Sequence, residues 1–291
     1  MKETILKPPS KTSFNKIFNE ESKKIYRRAE LYALINEYKK AKKLPDVTTK
    51  LIIDIIRDKG SLKIITMPSE GPYPSIIRYA WGLKVSPFEL GLSLKNKSYF
   101  THSTAVFLHG LTDQIPQTLY VNVEQSLKPR SSETLTQRAI DQAFKASQRS
   151  SRYVFIYERN RFVILSGKNT GQYGVITLPP ENQIRTTSIE RTLVDISVRP
   201  VYGGGIHQVL SAFRAALGRL SINRLVDALN SLDYVYPYHQ ALGFYLERAG
   251  FPKEKLQSLS SKGIKFNFYL AHGMHNPAFD PSWRIYYPKN L

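Results

Sequence analysis

At Gly60 the apolar residues of this chain change period. Before it, Leu51, Ile52, Ile55 and Ile56 recur at helical spacing, with Asp46 or Thr48 as the expected N-cap. After it, Ser61–Met67 (SLKIITM) and Ile76–Gly82 (IIRYAWG) are β-branched and aromatic runs split by the turn sequence SEGPYP. Pro45 closes an earlier helical stripe that starts near Ser22 and carries Ile25, Ala29, Tyr32, Leu34 and Ile35. Helices followed by a two-stranded ribbon is the order of a winged helix-turn-helix. A full motif has three helices, and the sequence places two.

The same region concentrates positive charge. The chain has 291 residues, with 42 Lys+Arg against 23 Asp+Glu, a formal net charge of +19. Residues 1–63 alone hold 16 basic and 8 acidic side chains. Such an excess attracts polyanions through counterion release, so double-stranded DNA is the expected partner. In a winged helix, Thr48, Thr49 and Lys50 open the recognition helix, where side chains reach base edges. Lys23, Lys24, Arg27, Arg28, Lys39, Lys40, Lys42, Lys43, Lys59, Lys63 and Arg78 are then the expected phosphate contacts. A solvated helix face is the competing reading, and the KKAKK run also suits a helix C-terminus.

The pattern changes between Val85 and Lys97, and the sequence divides there. The expectation is an α+β chain: a flexible arm over 1–20, a winged-helix-like domain over 21–84, and a larger mixed domain over 85–291 with an antiparallel sheet and several helices. Within the larger part, Thr101–His109 reads as a helix with Gly110 at its C-cap, Tyr120–Val123 as a strand, and Glu133–Gln148 as a helix. Arg152–Tyr157, Arg161–Leu165 and Tyr173–Leu178 read as successive strands of an antiparallel meander. Thr187–Val198 reads as a helix opened by a capping box, with Thr187 as N-cap and Glu190 at N3. Gly204–Leu217, Ile222–Asp233 and Tyr238–Ala249 are amphipathic helices, and Phe266–Leu270 and Trp283–Tyr287 are aromatic-rich strands.

Two segments are not explained by periodicity alone. In THSTAVFLHGLTDQIP, His102 and His109 are seven apart and would share a helix face, a spacing open to acid–base work. Thr104, Ala105, Phe107 and Leu108 around them are packing residues, and Asp113 suits a local turn bond. In TSIERTLVDISVRPVYGGG, Arg191 and Asp195 can pair on a helix surface. Gly203–Gly205 follows a helix and Pro200, so it reads as a loop and not as a phosphate cradle. His272 and His275 form HxxH without a third ligand nearby, so no metal is expected. The aromatic residues Tyr236, Tyr238, Phe244 and Tyr245, with His239, read as core. No nuclease D…ExK, nucleotidyltransferase GS…DxD, GxSxG or HExxH pattern occurs, and there is no cysteine. No enzyme, cofactor or membrane segment is therefore expected, and a cytoplasmic location fits.

Those two segments resemble the C-terminal domain of AbiEi-type proteins, the antitoxin and autorepressor halves of type IV toxin–antitoxin (abortive infection) operons. The resemblance covers roughly residues 60–290. It implies a winged-helix repressor of operator inverted repeats joined to a domain that opposes a cognate nucleotidyltransferase toxin, with or without direct contact. It also implies a structural duty for the signature residues His102, Ser103, His109, Gly110, Leu111, Thr112 and Asp113, and for Glu190, Arg191 and Asp195. Two other classes stay open on the residues themselves: a protein-interaction module whose basic surface meets an acidic partner, and an enzyme acting on nucleic acid through Glu190, Asp195 and the histidines.

Overall fold

The computed structural model describes residues 18–19, 21, 23–41, 48–58, 61–82, 84–127, 134–179 and 183–291. The chain is mixed α and β, with ten α-helices and twelve strands among the described residues. No helix among those residues is long and apolar enough to cross a membrane. Contacts divide the chain into two compact units. The first runs to Asn96 and includes Phe155–Asn160; the second is Lys97–Val154 with Arg161–Leu291.

In the first unit, β1 (Ile25–Tyr26), β2 (Leu62–Met67) and β3 (Ile76–Trp81) form a sheet in the order β1-β3-β2, all antiparallel. Helices α1 (Arg28–Ala41) and α2 (Thr49–Asp58) supply Leu31, Ile35, Ile52, Ile53 and Ile56 to a core shared with Leu62 and Trp81. The helix expected from Ser22 therefore begins at Arg28. Ile25 lies in a strand instead, because Ile25 and Tyr26 add an edge to the ribbon opposite Ala80 and Tyr79. The buried side of α2 is also rotated. Leu51 is 50% exposed and Ile53 is buried, contrary to the stripe read from the sequence. Four isoleucines in five positions, Ile52, Ile53, Ile55 and Ile56, leave the phase of a helix ambiguous. Thr48 Oγ1 caps α2 by accepting from the Leu51 N–H at 3.2 Å. Of the arm expected over 1–20, only Phe18 and Asn19 are described. Phe18 is buried and stacks on Trp81 with centroids 4.3 Å apart. Helix α3 (Pro87–Ser93), capped by Ser86, closes this unit. Ser69 forms an antiparallel bridge to Phe155.

The second unit holds β4 (Tyr99–Phe100), α4 (His102–Leu108), β5 (Thr118–Glu124), α5 (Gln137–Lys145), β7 (Asn160–Gly167, from Arg161), β8 (Val175–Thr177) and β9 (Arg185–Thr187), while β6 (Val154–Tyr157) belongs to the first unit from Phe155 on. The sheet order within the second unit is β7-β5-β4-β9-β8. The sheet is mixed, not the antiparallel meander expected from the sequence: β5 pairs parallel to β7 and β4 parallel to β9. Phe162–Leu165 on β7 are all buried, which demands cover on both faces and partners on both edges. The segment carrying α5 provides the crossover that a parallel β5–β7 pair requires. β8 leaves β7 and pairs with β9 at the far edge.

Helices α6 (Ile189–Val198), α7 (Ile206–Ala215), α8 (Ile222–Leu232), α9 (Tyr238–Arg248) and α10 (Gln257–Ser260) form the main apolar core. A second sheet of β10 (Phe268–Tyr269), β11 (Ala278–Asp280) and β12 (Ile285–Tyr287) lies against that core, in the order β10-β12-β11. Gly243 on α9 lets the Trp283 ring approach: a Cβ there would lie 2.2 Å from the indole.

Candidate functional site

Two of the signature residues, Arg191 and Asp195, lie in one buried polar network. Ser188, not Thr187, caps α6 by accepting from the Arg191 N–H. Thr187 belongs to β9, so the capping-box reading fails by one residue, and Glu190 is released from it. The Glu190 carboxylate instead accepts from Arg224 Nε at 2.9 Å and from the Ser221 N–H at 3.4 Å. Burial alone would raise this carboxyl. Its own backbone N–H and the Arg224 guanidinium lower it below the ordinary value.

Arg191 and Asp195 pair as their spacing predicts, but inside the protein and not on a helix surface. Arg191 Nε donates to Asp195 Oδ1 at 2.9 Å, each side chain being 6% exposed. Thr101 Oγ1 donates to the other carboxylate oxygen at 2.9 Å. Arg191 Nη1 donates to the Tyr173 carbonyl at 2.8 Å. A second cluster adjoins through the same loop. Asn122 Nδ2 donates to the Tyr99 hydroxyl at 2.7 Å, and that hydroxyl donates to Glu124 Oε1 at 3.1 Å. Glu124 also accepts from the Thr170 hydroxyl, the Thr170 N–H and the Gln172 N–H. Burial pushes the Glu124 carboxyl up, and these donors pull it below its usual range.

His102 and His109 do not share a helix face. His102 opens α4 with φ of 53°, while His109 is the residue after its last turn. The His102 ring is buried edge-on against Tyr202, with centroids 5.3 Å apart, and its Nδ1 has no hydrogen-bond partner among the described residues. Burial, assisted by Arg199 and Arg191, lowers its pKa to about 4. His109 Nε2 meets the Thr187 carbonyl at 2.6 Å. Gly110, at φ of 63°, ends α4 in a Schellman turn: its N–H bonds the Phe107 carbonyl, and the Leu111 N–H bonds that of Val106. Ser103 is half-buried. The local turn bond expected of Asp113 is made by Thr112, whose hydroxyl accepts from the Gln114 N–H, and Asp113 is exposed.

Thr101, Tyr99, Asn122, Glu124 and Thr170 were not singled out from the sequence. One signal was present: Asn122 is a buried amide in a run of strand formers, TLYVNVE. His272 Nδ1 meets the Ala143 carbonyl and its ring stacks on Phe144 at 4.3 Å. Among the described residues no three His, Asp or Glu side chains converge as a metal cluster.

The basic residues of the first unit sort into several groups. Arg78 is buried. Its guanidinium donates to the Ser93 and Leu94 carbonyls at 2.9–3.1 Å, at the negative end of α3, so it is not a phosphate contact. Lys24 Nζ donates to the Phe18 and Glu21 carbonyls. Lys23 and Arg27 both pair with Glu30. Burial opposes that carboxylate, yet Arg27 and Lys23 hold it down to about 2. Arg28 is exposed over the Tyr32 ring at 5.3 Å. Thr49 Oγ1 donates to Asn36 Oδ1 at 2.7 Å, fixing the start of α2 on α1. Lys40, Lys50 and Lys63 are exposed and Lys39 is half-buried. Lys42, Lys43 and Lys59 lie outside the described residues.

No known protein-family model matches the chain, and no curated protein sequence matches it significantly. The crystal structure of the RV2827C protein from Mycobacterium tuberculosis is similar with a TM-score of 0.55, over 94% of this chain and 90% of that one, at 13% identity. The likeness is one of fold.

Proposed function

We propose that this chain is a DNA-binding transcriptional autorepressor, with the antitoxin role that the resemblance to AbiEi-type proteins implies. On this reading α1, α2 and the β2–β3 hairpin act as a helix-turn-helix with its wing. The start of α2 enters the major groove, and the second unit is a non-catalytic scaffold opposing a nucleotidyltransferase toxin. The observation that carries it is the start of α2. Thr48 caps the helix, Thr49 is held by Asn36, and Lys50 is exposed beside them. Exposed Lys40 at the end of α1 and Lys63 on the ribbon supply further cations. The reading of the second unit as a scaffold is supported by the state of its carboxylates. Glu124, Glu190 and Asp195 are each occupied by donors from the protein itself.

A gel-shift titration against duplex from the gene's own upstream region tests this, with random duplex of equal length beside it at physiological salt. Tighter binding of the upstream duplex, weakened by Lys50→Glu, is the expected result. Equal affinity for both duplexes sinks specific repression.

A further inference from the structure

We propose that the outer face of the β10-β12-β11 sheet is a stacking site for unpaired bases of single-stranded RNA. Strand alternation splits this sheet into two faces. Phe268 and Ile285 point into the core and are fully buried. Their neighbours Tyr269, Tyr286 and Phe279 stand side by side on the other face, because Tyr269 is in register with Tyr286 and Tyr286 with Phe279. The rings form a ladder, with centroids 4.8 Å apart between Tyr269 and Tyr286 and 4.9 Å between Tyr286 and Phe279. Behind it the ladder is anchored on buried Phe144, which stacks on Tyr269 at 5.7 Å. At the open end Phe279 is 41% exposed on an edge strand, and no further ring covers it among the described residues. A base placed on Phe279 extends the ladder by one rung, and any base has the π-face this requires.

Charge selects the occupant. The chain's formal net charge of +19 favours a polyanion. Arg284 immediately precedes β12, two residues before Tyr286. Its Nε donates to Asn267 Oδ1 at 2.8 Å, and it makes no ion pair among the described residues, which leaves its terminal N–H groups for a phosphate. The Tyr269 hydroxyl is held by Asp141 at 3.0 Å, whereas the Tyr286 hydroxyl has no partner among the described residues. A free phenol hydroxyl beside stacked bases suits a ribose 2′-hydroxyl, and RNA loops and ends present the splayed bases that such a face accepts.

The test is fluorescence anisotropy of the full chain with labelled oligouridine of about 12 nucleotides. Phe279→Ala is expected to weaken binding roughly 5- to 150-fold, the range for losing one stacked base. Phe279→Tyr retains affinity, and oligothymidine binds more weakly than oligouridine. Photocrosslinking of 5-bromouridine to the unmodified chain is expected at the 277–287 peptide, which keeps the test valid should the alanine variant fold poorly. Unchanged affinity in Phe279→Ala, crosslinks confined to other peptides, or equal binding of oligothymidine overturns the proposal. So does a chain that binds no oligouridine, which would leave the face to a protein partner.

Discussion

Thr101 and Arg191 hold opposite oxygens of the same buried carboxylate, that of Asp195, each at 2.9 Å. Neither donor lies close in sequence to the other, and the carboxylate is satisfied from two sides. Asp195 thereby joins α4, α6 and the loop around Tyr173 into one piece. Breaking a buried pair from one side costs far more than the pair contributes.

Removing one partner should therefore be severe. Arg191→Met leaves Asp195 buried with half its donors, and a loss of about 3–5 kcal/mol is expected in urea unfolding. The double variant Arg191→Met, Asp195→Leu should recover part of that loss. A single substitution that costs under about 1 kcal/mol would show that solvent reaches the pair.

His102 makes stability fall in acid. Its folded pKa of about 4 lies below the ordinary 6.5, so folding favours the neutral ring. The contribution is complete above pH 6.5 and is lost as pH falls toward 4, reaching roughly 3 kcal/mol across that window. His102→Asn removes the titration, and asparagine accepts the left-handed backbone found there. Urea midpoints between pH 4 and 7 should fall less steeply in the variant. Parallel slopes in the two proteins would exclude this histidine as the source.

Arg78 and Lys50 should separate cleanly. Arg78→Ala removes three hydrogen bonds to the Ser93 and Leu94 carbonyls and one to the Ser93 hydroxyl, and lower thermal stability is expected. Lys50→Glu should leave the melting temperature in place and weaken duplex binding. The loss of a cation from the groove also reduces the salt slope by about 1. A Lys50 variant with an unaltered slope would remove that residue from the interface.

Gly243→Ala places a methyl group inside the Trp283 ring, at 2.2 Å. Overpacking of that kind costs about 1–3 kcal/mol. Thermal unfolding of Gly243→Ala should reveal it, and Gly243→Ala with Trp283→Leu should recover stability. Equal melting of Gly243→Ala and the parent would show that the indole can move aside.

Much of the secondary structure was legible, because long amphipathic segments such as α8 and α9 declare their period. What failed were phases and partners. Four isoleucines around Ile53 could not reveal which of them faces inward. Ser188 and Thr187 are both competent caps, and only the pairing of Thr187 opposite Val175 decides between them. The meander failed for a different reason. Hairpin partners follow from adjacency, but the parallel pairing of β5 with β7 depends on burial of both faces of β7. Of the candidate site, the residue types were visible and their environments were not. Arg191 and Asp195 at i, i+4 read as a surface pair, and only tertiary packing places them under cover. Arg78 looked like any other ribbon cation until α3 presented its carbonyl end.

The Thr101–Asp195 bond has a consequence for anyone recombining this chain with a remote cousin. The two motifs it connects lie 94 residues apart, yet they complete a single cluster. A chimera that imports one motif alone inherits half a lock, with a hydroxyl or a carboxylate facing a stranger. Crossovers that carry both motifs together, or neither, are the ones to build.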